Sequence, residues 1–153
     1  MHQYIQGSFG RIAAGADIND PTSTGASFRL LTFRAQLVTS ATVANRWPHF
    51  QFVTESGDVL HEIVPAAAQA AGATVVYDLC AATGASNDGS AVADGVSSLA
   101  LPDLWFPANT HLNTKTTALD AGDQWSMIYW SADIGEEWEH LRWLEEIAAN
   151  IGA

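Results

Sequence analysis

Histidine side chains are the first in this sequence that could do chemistry, because a neutral imidazole ring is a common metal ligand. A metal site needs several such rings at spacings that bring them to one ion, and no His-x-His pair occurs. Residues 61–65 begin like the His-Glu-x-x-His zinc helix, but Pro65 stands where the second histidine is needed. The sequence therefore predicts ordinary surface or strand positions, and no metal site, for His49, His61, His111 and His140.

Nucleophilic side chains are equally poorly placed for catalysis. Residues 84–89 have one residue too many for the Gly-x-Ser-x-Gly elbow, and they lie in a small, polar segment that predicts a loop. Cys80 follows an apolar strand pattern, where a small buried thiol is the common case, and it is the only cysteine of the chain. No glycine-rich phosphate loop occurs, so we predict no catalytic residue and no cofactor.

Paired acids offer the remaining route to catalysis. Asp58 with Glu62, or Asp120 with Asp123, could supply the two carboxyl groups of a glycosidase, but turns and strand exteriors carry such residues for solubility. The acids also lack the spacing of a calcium-binding loop. We therefore expect a protein that is not an enzyme.

The charge of the chain limits its partners. Its 153 residues include 17 Asp and Glu but only 6 Lys and Arg, which gives a formal net charge of −11. This field repels nucleic acids and anionic membranes, and it attracts basic protein surfaces. A hydrophobic content of 48% is sufficient for one globular domain with a sizeable core.

Apolar and polar residues alternate through much of the chain, as in half-buried strands. In residues 28–39, Leu31, Phe33 and Leu37 fall on one face and Arg34 on the other. Residues 81–95 predict a long exposed loop, and prolines at 102 and 107 favour a sheet edge or a strand end. Further strands are predicted near residues 50–53, 59–64, 74–79, 112–117 and 124–130, the first two as a hairpin.

The two ends of the chain differ from this pattern. Residues 1–26 show no sustained period and predict a flexible N-terminal arm. Residues 133–153 predict an amphipathic helix, because residues 133–136 have the form of a capping box. We therefore predict a mainly β protein, with residues 27–132 forming an antiparallel β-sandwich or jelly roll. The apolar helix face comprises Trp138, Leu141, Leu144, Ile147, Ala148 and Ile151.

Turn and strand patterns in both halves of the chain carry a family resemblance. Arg29-Leu30-Leu31 and residues 39–46 look like an opening strand and turn, and residues 101–104, Pro107 and residues 119–125 look like a closing pattern. Together they resemble the small, jelly-roll-like virion proteins of tailed phages. The likeness covers roughly residues 28 to 132, and the C-terminal helix and the residues before 27 depart from it.

The resemblance implies a capsid cement or decoration protein, often a trimer over capsid three-fold positions. We accordingly expect a homotrimer that binds the major capsid protein and resides on the virion surface after synthesis in the host cytoplasm, with no nucleic acid or membrane partner. The alternatives are a neck or tail component, or a carbohydrate-binding module for host attachment. Tryptophan and arginine are enriched at interface hot spots, so the predicted partner contacts are Arg46, Trp47, Arg142 and Trp143.

Overall fold

The computed structural model describes residues 3–19, 25–80, 94–135 and 137–152. A five-stranded sheet has the order β1-β8-β2-β5-β6, and a three-stranded sheet has the order β4-β3-β7. This architecture confirms the predicted β-sandwich and the C-terminal helix. The elements are β1 (Gln3–Arg11), β2 (Phe28–Val38), β3 (Trp47–Val53), β4 (Val59–Ile63), β5 (Thr74–Cys80), β6 (Asp94–Ala100), β7 (His111–Thr117), β8 (Gln124–Ile134) and α1 (Glu137–Ile151).

The strand order is that of a jelly roll, in which one sheet is lettered B-I-D-G and the other C-H-E-F. Here β1, β8, β2 and β5 follow the first order, and β7, β3 and β4 take the places of H, E and F. A short segment stands in for strand C, since the Thr114 amide donates to the Ile18 carbonyl at 2.9 Å. The Thr116 amide donates to the Asp17 carboxylate at 3.0 Å. Strand β6 has no counterpart in this jelly-roll order. It pairs with β5 in parallel at the edge of the large sheet.

The core lies between the two sheets and is rich in aromatic side chains. Phe50 of β3 has its ring centroid 6.0 Å from that of Phe33, 5.5 Å from that of Tyr77 and 6.1 Å from that of Trp125. Those three partners belong to β2, β5 and β8, so Phe50 joins the small sheet to the large one. The alternation in β2 places Phe33 and Leu37 in this core as predicted, but the prediction for Leu31 is wrong: a register shift between Leu30 and Thr32 puts Leu30 in the core and leaves Leu31 only partly buried.

The N-terminal segment differs from the predicted arm. β1 pairs antiparallel with β8, from Gln3 opposite Ile134 to Arg11 opposite Ser126. Ile18 is 1% exposed and belongs to the core. Gly7 of β1 leaves room for the side chain of its cross-strand neighbour, since a Cβ on Gly7 would lie 2.6 Å from the Trp130 ring. Residues 3–11 and 17–18 are thus part of the sandwich, and residues 1–2 and 20–24 lie outside the described residues.

The C-terminal end also differs in one detail from the sequence prediction. Asp133 was expected to cap α1, yet it lies in β8 and accepts a hydrogen bond from Arg29 Nη2 at 2.7 Å. Residue 136, the other half of the predicted capping box, lies outside the described residues, as do residues 81–93 of the predicted loop. The last two residues of that loop, 94 and 95, begin β6, which forms an edge of the large sheet.

Candidate interface residues and the surfaces that carry them

Arg46 is an interior residue, and its prediction as a partner contact is wrong. Its side chain is 0% exposed and forms a bidentate ion pair with Asp123, at 2.8 Å from Nε to Oδ2 and 3.1 Å from Nη2 to Oδ1. Nη1 donates to the carbonyl oxygens of Thr42 and Ala44, and Nη2 also donates to Ser40 Oγ. Because intramolecular acceptors bind all three guanidinium nitrogens, the group stabilises the fold and does not bind a partner.

Asp123 accepts hydrogen bonds from two loops at once. Besides Arg46, the backbone amides of Ser40 and Asp120 donate to its two oxygens, each at 2.8 Å. Burial raises the pKa of this carboxyl, but hydrogen bonds from the Arg46 side chain and these amides lower it more, so the pKa lies below its ordinary value. The acids at 120 and 123, considered above as a catalytic pair, therefore tie residues 39–46 to residues 118–123.

Gln69 connects a third loop to the same place. Its backbone exchanges two hydrogen bonds with that of Arg46, at 2.9 and 2.8 Å. Its Nε2 donates to the carbonyls of Leu37 and Ala73, and its Oε1 accepts from the Tyr77 hydroxyl at 3.0 Å. We refer to Ser40, Arg46, Gln69, Asp120 and Asp123 as the loop cluster, which fixes three connections of the sandwich to one another.

Trp47 points the opposite way and is 40% exposed. Its Nε1 donates to the Pro65 carbonyl at 2.8 Å, which fixes the orientation of the indole. Strand alternation puts His49 and Gln51 on the same face, and the register sets Lys115 opposite His49 and Glu62 opposite Gln51. We call these five residues the outer face of the small sheet.

The polar side chains of this outer face hold one another in place. His49 Nδ1 lies 3.0 Å from Glu62 Oε1, and Gln51 Nε2 donates to Glu62 Oε2 at 2.5 Å. The hydrogen bond from Gln51, and then that from His49, lowers the pKa of Glu62 below its ordinary value. A carboxylate with both oxygens occupied therefore organises the surface beside Trp47.

The helix α1 carries the other two predicted contacts. Trp143 is 56% exposed, and the side chain of Arg142 lies outside the described residues. Helical spacing places Trp143, Leu144, Ile147 and Ile151 on one side of α1, where Leu144 is 45% and Ile151 78% exposed. We call these four residues the apolar strip of α1. Trp47 and Trp143 thus belong to two separate elements, β3 and α1.

Sequence reasoning missed a cluster around Arg29. Its guanidinium bonds Asp103 at 2.9 Å and Asp133 at 2.7 Å, and it lies 5.6 Å from the ring centre of Trp105. The cluster joins the segment after β6 to the end of β8, just before α1. The alternation of β2 does place Arg29 on the outside, but its partners are distant in sequence and become apparent only from the strand register.

Among the described residues, no three His, Cys, Asp or Glu side chains come close enough to share a metal ion. None of the described helical residues form a segment with the length and apolar content of a membrane span.

Comparisons with solved structures include two viral chains. No family model and no curated protein matches the chain. It is similar to a chain of infectious bursal disease virus, Gt strain, with a TM-score of 0.31 and 13% identity over 89% of this chain and 30% of that one. For the Gx strain the TM-score is 0.30 and the sequence identity is 15%, over 88% of this chain and 30% of the viral one. This chain spans less than a third of either viral chain.

Proposed function

We propose that the protein is a non-enzymatic structural subunit of a tailed-phage virion, a cement protein that binds and stabilises the capsid shell. The observation that carries this proposal is the exposed apolar strip of α1. The described core cluster of the sandwich consists of residues from the strands and their connections. None of the four strip residues belongs to it. The family resemblance of residues 28–132 supplies the class of partner.

The apolar strip is suited to burial against another protein. Burying a Leu or Ile side chain fully stabilises a complex by about 1.5–3 kcal/mol. Ile151 is 78% and Leu144 45% exposed, so most of that free energy for Ile151 and nearly half of it for Leu144 is still to be gained. A tryptophan in the same strip adds the residue type found most often at interface hot spots.

The charge around the strip selects a basic partner. Glu145 and Glu146 are exposed beside it, and the chain as a whole carries a formal net charge of −11. We propose that the strip occupies an apolar groove with a basic rim on the major capsid protein. Attachment then weakens as salt rises, because ions screen the attraction between exposed charges.

A homotrimer completes the proposal. The edge strand β4 exposes Val59 by 49% and Leu60 by 46%, which offers apolar surface for a contact between copies. Three copies held together dissociate from a shell far more slowly than one, because each rebinds while the others stay attached. Weak individual contacts through α1 then suffice to reinforce a shell.

Replacing Leu144 with glutamate is expected to weaken binding to the shell at least tenfold, because the remaining apolar burial is lost and a carboxylate must be desolvated in the groove; about 1.4 kcal/mol corresponds to a factor of ten in affinity. The measurement is co-sedimentation of the purified protein with shells assembled from the major capsid protein of the same genome. Circular dichroism of the variant should be unchanged, because Leu144 is exposed and outside the core cluster.

Val43→Glu is the matched control. Val43 is 95% exposed between β2 and β3, so the substitution introduces the same charge in place of an apolar side chain away from α1. We expect this control to bind like the wild type. Equal binding by Leu144→Glu and the wild type would contradict docking through the strip.

A further inference from the structure

We propose that the outer face of the small sheet is a binding platform for a neutral oligosaccharide, with the indole of Trp47 as its stacking surface. This function goes beyond attachment to a shell and does not depend on it. It rests on an exposed, oriented aromatic ring and on the polar side chains aligned with it on β3, β4 and β7.

The indole of Trp47 is held in one orientation before any ligand arrives. Its hydrogen bond to the Pro65 carbonyl, 2.8 Å long, occupies the one polar atom of the ring. The remaining ring surface is apolar, and 40% of the residue is exposed. The C–H face of a pyranose ring is similarly apolar and flat, so it can cover an indole without desolvating an unpaired polar group.

Polar groups follow Trp47 at the spacing of a short sugar chain. His49 and Gln51 lie two and four residues along β3 on the same face, so the row from Trp47 to Gln51 spans roughly 13 Å. Lys115 stands opposite His49 in the register. Sugar hydroxyls both donate and accept hydrogen bonds, which matches the imidazole and the amide of this row and the ammonium on the adjacent strand.

Glu62 holds the side chains of His49 and Gln51 in place. It binds His49 through Nδ1 and Gln51 through Nε2, and neither bond uses His49 Nε2 or Gln51 Oε1. The atoms that a ligand would meet therefore belong to side chains already held by a carboxylate. Less conformational entropy is lost on binding when the contact residues are fixed in advance.

The charge of the platform determines the kind of sugar. Glu62 and Lys115 offset each other on the face, so it has no excess of positive charge to offer an acidic ligand. The formal net charge of −11 for the whole chain repels uronate, sialylated or phosphorylated glycans. The platform therefore fits neutral hexose chains.

The experiment is a titration of the full chain with maltohexaose, cellohexaose, a mannan fragment and a galactan fragment, alongside an oligogalacturonate as the acidic arm. Backbone amide shifts and tryptophan fluorescence are followed. We expect a neutral oligosaccharide to bind with a dissociation constant of about 1 mM, shifting the amides of Trp47 and His49, and the oligogalacturonate to bind more weakly.

Trp47→Ala should weaken this binding at least tenfold, and Trp47→Phe, which keeps an aromatic face, should weaken it less. Trp143→Ala is the matched control, because Trp143 is 56% exposed but lies on α1, and it should bind like the wild type. Lys115→Ala tests the platform without touching the indole and should lower affinity several-fold. The proposal is overturned if no neutral oligosaccharide binds, if the acidic one binds more tightly, or if Trp143→Ala loses as much affinity as Trp47→Ala.

Discussion

Replacing Asp123 with alanine is expected to lower the free energy of unfolding by about 3–5 kcal/mol, because it leaves a buried guanidinium without its counter-charge. The side chains of Arg46 and Asp123 are both 0% exposed. The substitution also removes the acceptor of the Ser40 and Asp120 amides, so two loops lose their attachment together. Equilibrium unfolding in urea measures the change.

Asp103→Ala is the control for this substitution. Asp103 also pairs with an arginine, at 2.9 Å from Arg29, but its side chain is 79% exposed. An exposed ion pair contributes at most about 1 kcal/mol, so the control should be close to the wild type. Equal losses from the two substitutions would contradict the structural role of the loop cluster.

Acid should weaken the ion pair between Arg46 and Asp123. The pKa of Asp123 is lowered in the folded protein, so its contribution to stability is fully present above the ordinary pKa of aspartate, about 3.9. That contribution is lost as the pH falls through the lower, folded pKa. The unfolding temperature of the wild type should therefore fall steeply below about pH 4, and the fall should be shallower in Asp123→Ala.

Replacing Phe50 with alanine should cost about 3–5 kcal/mol of stability, through lost burial and the cavity left behind. Phe50 is 0% exposed and contacts aromatic rings of three strands in the opposite sheet. Thermal or urea unfolding provides the measurement.

Phe9→Ala is the matched control for Phe50→Ala. The same side chain is removed, but Phe9 is 45% exposed on the edge strand β1. The loss of stability caused by Phe9→Ala should be clearly smaller than that caused by Phe50→Ala. If Phe50→Ala were no more destabilising than Phe9→Ala, the two sheets would not be joined through Phe50.

Sequence alone predicted the strands that alternate between core and solvent. β2, β5 and β8 were recognised because they bury large apolar residues in the sandwich, and β7 because its alternate residues Leu112, Thr114 and Thr116 are buried. β1 was missed because its glycines and small polar residues show no such period, and its position depends on pairing with β8. The parallel pairing of β6 with β5 could not be predicted from the sequence either, because the register between distant segments leaves no local sequence pattern.

The candidate surfaces were predicted in part, for similar reasons. Residue type suggested both Arg46 and Trp47 as contacts, but consecutive residues of an extended chain point to opposite sides, and only Trp47, the first residue of β3, faces outward. Asp123, the partner that draws Arg46 inward, is 77 positions away. Helical period correctly grouped Leu144 and Ile151, although it could not tell whether the sandwich would cover them.

Heating capsids that lack this protein, before and after adding it back, tests most directly whether it is a cement protein. A ligand that binds only the intact shell must stabilise that shell, so we expect the temperature of DNA release to rise by several degrees with the wild type and to stay unchanged with Leu144→Glu. An unchanged temperature with the wild type bound to every shell would contradict a cementing role.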